Sequence, residues 1–141
     1  MSSLQAGLAS FLLVSSLLLM GQSAADEVKN ESNPGKRSEL SIEAANRTLD
    51  EARAAYLAGN SKQGDSDMHA VETLADECLS SVEQAKKYRY WKKAELKVRQ
   101  LTRRVETLSD DLGYDERGKA QELRAHLDQI HDKLLAGVMR K

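Results

Sequence analysis

The residues best placed to do chemistry are charged, and they are sorted by sign. From Asp65 to Glu83 the acids Asp65, Asp67, Glu72, Asp76, Glu77 and Glu83 follow one another with no Lys or Arg between them. From Lys86 to Arg104 the order reverses. Lys86, Lys87, Arg89, Lys92, Lys93, Lys97, Arg99, Arg103 and Arg104 meet a single acid, Glu95. A basic stripe of this kind can bind an anionic polymer through phosphates or carboxylates. It can equally be a solvated face, or pair with acidic neighbours. The whole chain carries a formal net charge of only −1, so bulk charge points to no nucleic-acid or membrane partner.

Other chemistry is thin. Cys78 is the only cysteine, so no intramolecular disulfide forms and packing must hold the fold. Its thiol suits either a bridge to a second chain or a small place in the core, and its apolar neighbours favour the core. The histidines are His69, His126 and His131. Helical spacing allows His69 with Glu72, Glu122 with His126, and Asp128 with His131 to share a ligand. Helical metal centres need such pairs from several facing helices. Here the pairs fall on different faces, so neither a metal nor a cofactor is expected. No glycine-rich phosphate loop is present, and Ser80-Ser81 lacks a nearby base to activate it. The sequence therefore reads as non-enzymatic, with no small-molecule substrate. Asn30-Glu31-Ser32 and Asn46-Arg47-Thr48 match the glycosylation acceptor pattern, relevant only to a eukaryotic source.

These residues sit on helices. Ile42, Ala45, Leu49, Ala52 and Tyr56 step by three and four, predicting a first helix over about 39–58, capped by Ser38 or Ser41 and ended by Gly59-Asn60. No Gly or Pro occurs from Ser66 to Leu112, predicting one helix over 66–112, roughly 70 Å long. Its first stripe is Met68, Val71, Ala75, Cys78, Val82 and Ala85. Its second is Trp91, Ala94, Val98, Leu101, Val105, Leu108 and Leu112, a coiled-coil-like seam. The stripes differ in phase near Lys86 to Tyr90, so the seam must drift or the helix bend there. A third helix over 115–140 carries Ala120, Leu123, Leu127, Ile130, Leu134 and Val138. Short loops make neighbours antiparallel. The expected fold is all-α: an antiparallel helical hairpin or bundle of three helices built on one long central helix, over residues 38–141. In that heptad frame Arg89, Lys92, Lys93, Arg99 and Arg103 face away from the seam, and Lys97 and Arg104 flank it. These five outward residues are the candidate anion- or partner-binding set.

The N-terminus sets the compartment. Residues 1–25 carry no charged side chain. Leu8 to Met20 is apolar, and Ser23-Ala24-Ala25 offers small residues of the kind a signal peptidase reads. The run is shorter than the roughly 20 residues of a membrane span. A signal peptide over 1–25 and an exported, periplasmic or secreted chain are expected, not membrane-spanning once the signal is cleaved. Residues 26–37, polar and holding the only proline, Pro34, read as a disordered leader.

A small exported helical chain with a basic surface is broadly similar to the Spy-like periplasmic chaperones, helical dimers with repeated Leu-Thr-x-x-Gln motifs. Here Leu101-Thr102-Arg103-Arg104 is followed by Val105 in place of Gln, and no second copy occurs. That likeness implies a holdase for unfolded protein clients. From the residues alone the leading expectation is a helical interaction or scaffold protein. It would self-associate through the seam as an antiparallel homodimer, the acidic half of one chain beside the basic half of the other. The alternative is a holdase or anion-binding module using the basic face.

Overall fold

The computed structural model describes residues 25–140. The expected signal peptide falls, but for Ala25, outside them. The described residues form helices joined by short turns, with no strand among them. Residues 25–30 are helical. Four long helices follow: α1 (Pro34–Leu57), α2 (Ser61–Ala85), α3 (Tyr88–Asp111) and α4 (Arg117–Met139), the last preceded by a 3-10 turn at Tyr114–Glu116.

The expected continuous helix over 66–112 is therefore two helices. α2 ends at Lys86, whose φ of 55° is left-handed, and α3 restarts after Lys87. A non-glycine residue in this region costs roughly 1–2 kcal/mol. The phase slip explains why the chain accepts that cost. A straight helix would aim its two apolar stripes in different directions, whereas folding back buries both in one core. Met68, Val71, Cys78 and Val82 of α2 lie in the same cluster as Val98, Leu101 and Val105 of α3, all 0–1% exposed. The three-helix architecture gives way to two antiparallel hairpins, α1–α2 and α3–α4.

Interhelical contacts set the register. Arg37 meets Glu77, and Tyr56 meets Asp65, so α1 and α2 run antiparallel. Arg124 meets Glu106, and His131 meets Glu95, so α3 and α4 do likewise. Between hairpins, Glu39 meets Lys93, and Arg53 meets Asp111, so α1 and α3 run parallel. α2 packs along α4. The two-residue link at Lys86-Lys87 crosses the diagonal from α2 to α3.

Helix starts also shifted. Asn33 caps α1, its side chain accepting from Lys36 N at 3.1 Å, and Pro34 opens the helix with no N–H to lose. Ser38 and Ser41 are interior and donate back to Gly35 O and Arg37 O. Asn60 caps α2, which starts at Ser61 rather than at the expected residue 66. The leader over 26–37 is thus ordered here. Val28 is 2% exposed within the core, and Arg37 donates through Nε to Ser81 Oγ at 2.9 Å.

Two glycines let neighbouring helices close on the aromatic side chains of α3. A Cβ on Gly35 of α1 would run into the Tyr90 ring of α3, and one on Gly137 of α4 into the Trp91 ring of α3. Trp91, expected on the seam, is a half-buried lid against α4 rather than a central core residue. No helix among the described residues is long and apolar enough to cross a membrane.

Candidate functional site

α3 exposes most of its basic residues because its apolar stripe is fully used inside the bundle. Arg89 lies over the Tyr90 ring, 4.7 Å from the centroid, and donates to its hydroxyl at 2.8 Å. Lys92 and Arg103 are exposed and make no ion pair among the described residues. Arg99 reaches only its own helix, 3.7 Å from Glu95. Lys93 is exposed too, but it is paired. It turns toward α1 and donates to Glu39 at 2.8 Å, and that hydrogen bond holds its ammonium above the ordinary range. The reason is geometric: α3 has two neighbours, α4 and α1, whereas the heptad frame allowed for one.

Between α1 and α3 runs a groove of about 290 Å³, with Ser38, Glu43, Arg47, Tyr90, Lys93 and Lys97 among its lining residues. A second hollow of about 200 Å³ lies between the same helices near Asp50, Arg53, Arg103 and Arg104. Arg104 separates the two, pairing with Asp50 and donating to Asn46 Oδ1 at 2.7 Å. Lys97 and Arg104 thus flank an interhelical seam, as expected, but the seam is α1 against α3. Asn46 also donates to Ile42 O at 2.9 Å, so the acceptor asparagine of that glycosylation pattern is already engaged.

Cys78 lies beneath the first groove with no exposed surface, and burial pushes its thiol up to about 12. As placed, it cannot meet a thiol of a second chain, which removes the geometric basis for an intermolecular bridge. Leu101 and Thr102, which carry the chaperone likeness, are buried, and Thr102 donates to Val98 O. They serve packing here.

The histidine pairs that spacing allows are not the ones formed. Glu122 pairs with Lys119 at 3.4 Å. His126 of α4 instead reaches across to α2, with Nε2 2.6 Å from Asp76 and Nδ1 3.7 Å from Glu72. His131 lies 2.8 Å from Glu95 of α3. The cross-helix pairing needed the fold-back at Lys86, which hid it from any reading of a single continuous helix. Arg37 was missed for a related reason. It fell in the presumed leader, yet it meets Ser81, Glu77 and Gln84 of α2 with its side chain only 14% exposed.

No protein-family model matches the chain, and no curated protein and no solved structure matches it either.

Proposed function

We propose that the chain is an exported, non-enzymatic binding protein whose helical bundle presents the outer face of α3 to an acidic polymer such as a glycan. One observation carries this reading. Arg89, Lys92, Arg99 and Arg103 are all exposed, and Lys92 and Arg103 have no acidic partner among the described residues. Cations held out of ion pairs are available to an external anion, and releasing that anion's counterions favours binding at low salt. Export to the periplasm or outside the cell rests on the uncharged, apolar first 25 residues.

Isothermal titration with size-defined heparin fragments tests it. Binding should weaken as salt rises, and Lys92→Glu with Arg103→Glu should weaken it further while leaving the melting curve unchanged. Absence of binding at low salt, or equal binding by the charge-reversed variant, would remove the reading.

Self-association is the second reading, and one feature favours it: α2 carries an acidic run and α3 a basic one. The route differs from the expected one. Val98, Leu101 and Val105 are 0% exposed in a single chain, so the seam is already occupied. A homodimer would form through charged outer faces, and salt would dissolve it.

A further inference from the structure

We propose that Glu72, Asp76 and His126 form a binding site for one divalent transition-metal ion of the zinc class, at the junction of the two hairpins. Glu72 and Asp76 lie one turn apart on α2, and His126 faces them from α4. One ligand atom from each of the three lies within 4.8 Å of the others. Zinc holds carboxylate oxygen and imidazole nitrogen at about 2.0–2.2 Å, so tetrahedral ligand atoms stand roughly 3.4 Å apart. His126 meets Asp76 through Nε2 at 2.6 Å and Glu72 through Nδ1 at 3.7 Å, so an ion would take one ring nitrogen and gather both carboxylates toward it.

Charge is the second reason. Two carboxylates one helical turn apart repel. No Lys or Arg among the described residues pairs with either, and His126 is the only group that does. With a neutral ring the cluster carries two uncompensated negative charges. The other cross-helix histidine differs: Glu95, which faces His131, also has Arg99 at 3.7 Å. That pair is already compensated and serves as the internal control.

The site is also held in place. Leu123 and Leu127 flank His126 along α4 and are 1% and 0% exposed. Val71 and Ala75, each beside one of the carboxylates, are 0% exposed. The core thus fixes both helices while the three ligands remain half-exposed and open to an ion and a water. An oxygen-rich set with one imidazole suits zinc, cobalt or nickel better than a thiolate-seeking metal. Because the ligands come from different hairpins, a bound ion ties α2 to α4 and stabilises the folded state by linkage.

The test is titration of the purified, untagged protein with zinc chloride in a non-coordinating buffer, followed by calorimetry and thermal melting. One zinc per chain should bind, and the melting temperature should rise. His126→Gln should lower the affinity by at least about tenfold and abolish the thermal shift, whereas His131→Gln should leave both intact. Asp76→Asn gives the same reading should His126→Gln not fold. Cobalt should broaden the ring-proton resonances of His126 before those of His69 or His131. Absence of zinc uptake, or unchanged uptake by both His126→Gln and Asp76→Asn, would overturn the proposal.

Discussion

The two seams that join the hairpins are built on different chemistry. Along α1 and α3, permanent cations meet carboxylates: Lys93 with Glu39, Arg104 with Asp50, Arg53 with Asp111. Along α2 and α4, two carboxylates share one imidazole. The first seam is charge-compensated whatever else is present, and it stays open as a groove. The second is closely packed and under-compensated, so its strength depends on what the imidazole and carboxylates hold. The contrast teaches that the core fixes the bundle, while polar groups decide what each seam responds to.

Perturbations of the two seams rank by what they remove. Leu101→Asp or Leu127→Asp puts a bare charge where both seams meet, and should cost more than about 4 kcal/mol. Helical circular dichroism should collapse; an unchanged melting point would refute the core assignment. Gly35→Ala acts on the α1/α3 seam alone by pushing a methyl group against the Tyr90 ring. A loss of about 1–3 kcal/mol in urea unfolding is expected. Gly118→Ala, which meets nothing within 4 Å, is the control and should not destabilise. Arg104→Ala should cost at most about 1 kcal/mol, because the pair with Asp50 is well exposed, and the loss should shrink in high salt.

A smaller effect lies in alkaline solution. Burial, then the hydrogen bond to Asp65, raises the Tyr56 phenol, and burial raises the Cys78 thiol to about 12. Both groups are neutral when protonated and titrate higher in the fold than in the unfolded chain. Their contribution is complete below about pH 8.5, where the unfolded thiol begins to ionise, and is lost as pH rises through the folded values. The melting temperature should fall across that range. Tyr56→Phe should flatten part of the fall, and Cys78 should react with a thiol reagent only on unfolding.

Much of the core was legible because helical periodicity reports burial directly. Ile42, Leu49, Val98, Leu101, Leu127 and Leu134 all lie where their spacing puts them. The break at Lys86 was half-legible. The change of stripe phase marked the place, but without Gly or Pro the local sequence gave no reason to stop, and the reason is tertiary. Asn33-Pro34 is a readable helix start that the polar composition around it concealed. Of the basic residues, Arg89, Lys92, Lys93, Arg99 and Arg103 are all exposed as expected, but Lys93 is paired with Glu39, a partner that only the fold supplies. Leu74 and Leu79 lie off the α2 stripe yet are buried, because α2 packs against both α1 and α4. The His126 cluster was illegible for the same reason: its ligands lie on two hairpins and meet only after the chain folds back.

Light scattering after gel filtration, at low and at high salt with reductant present, bears most directly on a bundle that is complete in one chain and keeps its basic face for an external anion. The monomer mass at both salts is the predicted result. A dimer at low salt that dissociates as salt rises would contradict it, and would mean that the acidic and basic faces exist for each other.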